Sequence, residues 1–297
     1  MGEIRPPAVA GRFYERSSER LTASLRDCFL HPLGPGALPH VNPAGPGRIP
    51  ALVSPHAGVM FSGPAAANGF AALAADGIPE TIVLLGPSHY ARDRRAALSP
   101  ASAWRTPLGE VALDTELGEA LRDATDLVVV EAESHREEHS LEVQVPFLQF
   151  VYGASVPKLL PLLLRAHPWG EGKGLLADVE ALARALVEVI GDRRVVLLAS
   201  SDFSHQVPHE GAAERDRPAL DAILACDPAQ LLRAVAAQHI TTCGPVPVAV
   251  ALAYSRERGA TEAELLRYYT SGDIIDERRA VVAYASVVLR RGEGANP

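Results

Sequence analysis

The feature that most narrows the fold is a set of unbroken apolar runs of strand length, at 50–54, 81–85, 126–130, 158–162 and 194–200. None has the polar alternation of a strand with one wet face, so these strands are expected to be buried on both sides. Segments of helical spacing lie between several of them, notably 65–75 and 175–190, where Leu176, Val179, Leu182, Leu186 and Ile190 fall on one face. The alternation predicts an α/β fold with a central, largely parallel or mixed sheet and helices on both faces. Further helices are expected over 213–224, 228–237 and 246–258. The second of these is entered through Asp227 as N-cap and Pro228 in the first turn. Strands over 265–270 and 280–289 close the chain. Residues 33–49, crowded with Gly and Pro, read as an irregular excursion, and 291–297 as a frayed tail, within a single domain over 1–297.

In an open parallel sheet the residues just past the C-terminal ends of the strands gather along one edge, where ligands bind. Three of the apolar runs end on polar clusters that contain histidine: Ser54-Pro55-His56-Ala57-Gly58, Gly86-Pro87-Ser88-His89-Tyr90, and Ser200-Ser201-Asp202-Phe203-Ser204-His205. Singly, each histidine reads as a hydrogen-bonded turn residue. Together they read as imidazoles delivered by three strands to one rim. Neutral imidazole is a common metal ligand, and two of them with an anionic group leave positions open on a divalent ion.

Two candidate anions are in reach of such a rim. One is Asp202. The other is Cys243, in the turn Thr241-Thr242-Cys243-Gly244-Pro245 just before a helix, where a thiol is expected to ionise more easily. The competing reading of Cys243 is a small buried hydrophobe, the reading that suits Cys28 and Cys226 in their amphipathic segments. In the dense stretch 133–142, Ser134 and Glu137 have capping-box spacing for a helix continuing through Phe147. His139 and Glu142, three residues apart, are either part of that helix start or face the rim, orienting a ligand or moving a proton.

Charge and cysteine usage narrow the partners. With 28 basic and 36 acidic side chains the formal charge is −8, which disfavours the basic face that nucleic-acid binding needs. No apolar run approaches bilayer-spanning length, and the first residues carry charges where a signal peptide needs an apolar segment. Three cysteines form no complete disulfide set and no CxxC pair. A cytoplasmic protein without nucleic-acid or membrane partners is expected.

In order along the chain stand RPPAVAGRFYE, PHAGVMFSGPAAA, LLGPSHY, WRTPLGEVALD, EEHSLEVQVPFLQ, LLASSDFSH, TTCGPVPV and YYTSGD. This series resembles the Memo family, named for a mediator of ErbB2-driven cell motility, whose prokaryotic members are called AmmeMemoRadiSam system protein B. The resemblance spans nearly the whole chain and implies a fold similar to class III extradiol dioxygenases. It implies a site at His56, His89, His205 and Cys243, with Asp202 beside it.

On that basis His56, His89 and Cys243 are expected to hold a metal, Fe(II) first and copper second. Asp202 would ligate or orient, His205 would act as a base or stabilise bound oxygen, and His139 would stand behind the ligands. Sulfur in place of the usual carboxylate departs from the ring-opening enzymes. The expected function is a metal-dependent redox enzyme acting on a small or modified organic substrate. The alternatives are a metal-dependent hydrolase and a non-catalytic adaptor that binds peptides, whose groove Phe13 and Tyr14 could line, although core anchors of the N-terminal arm are the preferred reading of that pair. The family label also implies a radical SAM protein and an AMMECR1-type protein in the same pathway.

Overall fold

The computed structural model describes residues 2–90, 95–166 and 174–292. Its strands are β1 (Ile4–Arg5), β2 (Ala51–Ser54), β3 (Thr81–Ser88), β4 (Ala96–Leu98), β5 (Ala103–Thr106) and β6 (Gly109–Ala112), then β7 (Val128–Val130), β8 (Lys158–Arg165), β9 (Val195–Ser200), β10 (His205–Val207), β11 (Ala260–Thr270) and β12 (Val281–Arg291). The helices are α1 (Ser18–Leu30), α2 (Val59–Asp76), α3 (Thr115–Ala124), α4 (Glu133–Arg136), α5 (Gln144–Tyr152), α6 (Leu175–Ile190), α7 (His209–Leu224), α8 (Pro228–Gln238) and α9 (Pro245–Glu257).

The main sheet runs β10-β12-β2-β9-β3-β8-β4-β7, with β11 on the other side of β12. Its centre, β2, β9, β3 and β8, is parallel. The flanks are antiparallel at β12 against β2 and at β4 against β8, so the sheet is mixed. A small sheet, β1-β5-β6, stands apart. Successive residues of the central strands feed opposite cores, as the pleat requires. Val83, Leu85, Leu197 and Ala199 pack with Leu186 of α6 and Val250 of α9, while Ile82, Leu84, Val196 and Leu198 pack with Leu25, Phe70 and Phe147 of α1, α2 and α5. Helices on both faces explain why these runs are apolar at every position. The layered α/β arrangement is the one expected.

The differences lie in short elements. The run at 126–130, expected among the central strands, becomes the edge strand β7, with Val129 and Val130 40% and 47% exposed. Three-residue β4 lies between it and β8 and carries too few residues to show a period. Helix α2 begins at Val59, six residues before the expected start, because Pro64 falls inside the first turns rather than ending a loop. The 33–49 connection is held against the end of α2, where the Asp76 carboxylate accepts the Arg48 and Ile49 N–H groups. Arg291 still belongs to β12, and residues 293–297 of the expected tail lie outside the described residues. No helix among the described residues is long and apolar enough to cross a membrane.

Candidate metal centre

Strands β2, β9 and β3 are immediate parallel neighbours, so the loops that follow them leave the sheet at one rim. His56 follows β2 and His89 follows β3, and their ring centroids lie 5.6 Å apart. His139, from the loop between α4 and α5, completes the group at 5.4 Å from His56 and 4.7 Å from His89. One ring nitrogen from each of the three lies within 4.8 Å of the others. His139, expected behind His56 and His89, stands beside them, where it too could reach an ion. Gly86 lets the neighbouring segment pack closely on β3: a Cβ there would lie 2.5 Å from a Leu141 methyl and 2.8 Å from Ser140 Oγ, so both side chains would have to shift.

Glu138 organises two of the three rings. Its Oε1 takes His89 Nδ1 at 2.9 Å and the N–H groups of His139 and Ser140, each at 2.9 Å, while its Oε2 takes the His89 N–H at 2.7 Å. His139 Nδ1 lies 3.3 Å from the same Oε1. Burial alone would raise this carboxyl. The His89 hydrogen bond and the charges of His89 and His139 outweigh it and hold Glu138 at about 2. An ionised carboxylate can only accept, so the His89 ring presents Nδ1–H to it and leaves Nε2 bare. His56 is held instead by Ser200, whose Oγ lies 2.8 Å from its Nδ1. Burial, then the neighbouring His89, lowers His56 well below the usual imidazole range; burial and His56 bring His139 to about 4. Burial thus keeps His56 and His139 neutral near pH 7, the state in which imidazole binds metal.

Cys243 touches the cluster at His56, its Sγ 3.2 Å from Nε2. The turn that carries it packs so tightly against the end of β9 that a Cβ at Gly244 would sit 2.5 Å from the Ser200 carbonyl oxygen. The expected easy ionisation of this thiol is not what the surroundings favour. Burial and the nearby Asp202 raise its pKa well above the ordinary value, against the Asp202 N–H that points at the sulfur at 3.1 Å. Asp202 is buried as well, and its Oδ1 accepts the His56 and Ala57 N–H groups at 2.8 and 3.3 Å, so this oxygen anchors the turn that presents His56. Burial pushes the Asp202 pKa up, opposed by His205 and those two N–H groups. His205 opens β10, its Nδ1 2.8 Å from the Thr241 carbonyl oxygen. It sits at a bulge in the pairing with β12, followed by Gln206 at φ 57, and bulges re-aim side chains in this way.

Three readings of 133–142 change. Ser134 caps no long helix; it lies inside the four-residue α4 and bonds the Glu131 side chain, while Glu137 ends the helix. Glu142 does not face the rim. It is buried under the N-terminal arm, taking Arg5 Nη1 and Tyr14 OH at 2.6 Å each and the N–H groups of Ala8 and Val9. Tyr14 is thus a core anchor, whereas Phe13 packs its ring 4.5 Å from that of His139. Glu138 is a site residue that the sequence pattern does not mark. Its only signal is that it directly precedes His139.

A family model described as Memo-like protein matches residues 5–288. The chain belongs to the Memo family. A MEMO1 family protein from Methanopyrus kandleri is 41% identical over 290 residues, covering 97% of this chain and 99% of its own length. Another, from Methanothermobacter thermautotrophicus, is 41% identical over 283 residues, covering 95% and 99%. The crystal structure of an uncharacterized Escherichia coli K12 protein superposes with a TM-score of 0.55 at 13% identity, covering 82% of this chain and all of that one. At that identity the likeness is one of fold. In this Memo chain the family match begins at Arg5, the residue that ties the N-terminal arm to the segment bearing His139.

Proposed function

We propose that this Memo chain is a metal-dependent redox enzyme that acts on a small or modified organic substrate, with Fe(II) as its metal and copper as the second choice. The observation that carries this reading is the set of three imidazole nitrogens within 4.8 Å of one another, with the Glu138 carboxylate hydrogen-bonded to His89 Nδ1 and 3.3 Å from His139 Nδ1. Neutral imidazoles with open positions beside them suit a first-row divalent ion. His56, His89 and His139 would hold it, and Cys243 would join as a thiolate once the metal displaces its proton. A bound metal of this kind would supply electron transfer or oxygen activation. The chain's own part is to orient the His89 ring through Glu138 and the His56 ring through Ser200, and to close one side with Phe13. His205 would take or return a proton from the outer rim, and Asp202 would hold the His56 turn.

The test is metal analysis of protein purified without chelator, followed by oxygen uptake with and without added Fe(II). Stoichiometric metal and Fe(II)-dependent uptake are expected. The single variants His56→Ala, His89→Ala and His139→Ala should each lose metal, and Cys243→Ser should lower it. Unchanged metal content in all four would refute the site, while metal binding without oxygen uptake under any substrate tried would leave a binding protein or a hydrolase.

A further inference from the structure

Behind His56 lies a chain of buried hydrogen bonds whose directions can be deduced by counting hydrogens. The Gln144 amide nitrogen lies 2.9 Å from the Pro55 carbonyl oxygen and 2.8 Å from Ser200 Oγ. Turning the amide over would set oxygen against the Pro55 carbonyl, so both contacts belong to the NH2 group. The amide oxygen has no hydrogen-bond partner among the described residues. Ser200 Oγ also lies 2.6 Å from the Ser140 carbonyl oxygen, which can only accept. A hydroxyl has one hydrogen, and here it goes to Ser140. The remaining lone pairs of Ser200 Oγ face the Gln144 NH2 and His56 Nδ1, which lies at 2.8 Å. His56 must then donate from Nδ1.

We infer that Ser200 and Gln144 are positioning residues that lock His56 in its Nδ1–H tautomer, so that its Nε2 lone pair is permanently presented to the histidine cluster. Gln144 occupies one lone pair of the hydroxyl and Ser140 takes its hydrogen, leaving Ser200 able only to accept from His56. The contact on the other side of the ring is consistent with this, because Cys243 Sγ stands 3.2 Å from Nε2 and can donate to it, as it can to the Asp202 carbonyl oxygen at 3.6 Å. His89 is oriented by a charged acceptor, Glu138; His56 is oriented by a neutral one whose polarity is itself enforced from behind. All four partners are buried, so water cannot reverse the order. The consequence for metal affinity rests on the proposed metal site, but the tautomer does not.

The experiment is long-range proton–nitrogen NMR of the full chain labelled at histidine, with chelator present, at about pH 8, above the ordinary imidazole range. Signals are assigned by single His→Gln replacements. His56 is expected as the Nδ1–H tautomer alone. Ser200→Ala should convert it to a mixture and weaken Zn(II) binding about 10–100-fold, the usual cost of losing a partner behind a ligand, while Ser200→Thr should restore both. Gln144→Leu should also admit the second tautomer. An Nε2–H tautomer in the wild type, or an unchanged signal in Ser200→Ala, overturns the inference, and the wild-type spectrum decides even where a variant does not fold. A pure Nδ1–H tautomer in a protein that binds no Zn(II) would defeat the metal site and leave this assignment standing.

Discussion

Glu138 shows how much one buried carboxylate can organise, since two imidazoles and three backbone N–H groups converge on it. Glu138→Gln keeps the shape but sets an NH2 group among those donors, leaving some of them unsatisfied. Metal affinity is expected to fall about 10–100-fold, read by titration with Zn(II) or Co(II). Wild-type affinity in the variant would show that the rings need no such anchor. His56 and His89 were legible in the sequence because each follows a strand-length apolar run, a purely local signal. Glu138 was not, because its partner His89 is 49 residues away and the capping pattern drew attention to Glu137 instead. The easy ionisation expected of the metal-free Cys243 thiol is disfavoured for a related reason: proximity to a helix start is visible in the sequence, whereas burial beside Asp202 is a property of the fold.

Among the elements, the N-terminal arm is the one whose importance the sequence hides. Arg5 ends a two-residue strand, yet its guanidinium binds Glu142 at 2.6 Å, the His135 carbonyl oxygen at 2.6 Å and the Glu138 carbonyl oxygen at 2.8 Å, and lies 4.3 Å from the centre of the Trp104 ring. It therefore clamps the loop that carries Glu138 and His139. Arg5→Leu strands the Glu142 carboxylate in the interior, and removing one partner of a buried pair costs about 3–5 kcal/mol. Denaturant unfolding should show that loss, with a parallel drop in metal affinity as the loop loosens. A cost below about 1 kcal/mol would mean that Tyr14 and the backbone N–H groups suffice. The long runs behind β2, β3, β8 and β9 could be read directly because four or more apolar residues in a row imply burial on both faces. Strands β4, β5 and β6 have three or four residues each and are defined by tertiary pairing rather than by pattern.

For the molecule as a whole, burying neutral histidines makes stability depend on pH. His135 is buried with its Nε2 2.9 Å from the Ala97 carbonyl oxygen. Burial, then Arg5, lowers it to about 4, against the raising effects of that carbonyl, Glu138 and Glu131. The unfolded chain takes up a proton near 6.5, so between that value and about 4 the unfolded state binds more protons than the folded one. The contribution of His135 is therefore fully present above about pH 6.5 and falls away as pH drops toward 4, at most about 3 kcal/mol for a shift of this size. His139, also lowered to about 4, adds to the same fall. Glu138 works in the same direction over a lower range: its depressed pKa contributes stability above about 4.5 that is lost only as pH approaches 2. Metal-free protein unfolded by denaturant at a series of pH values should thus lose stability first between pH 6.5 and 4, before the carboxylate range is reached. His135→Gln can keep a donor toward Ala97 without titrating, so it should flatten part of that slope while leaving the cluster's part in place. An equally steep slope in the variant would show that His135 is not neutral in the fold, and a flat wild-type profile over this range would show the same for both histidines.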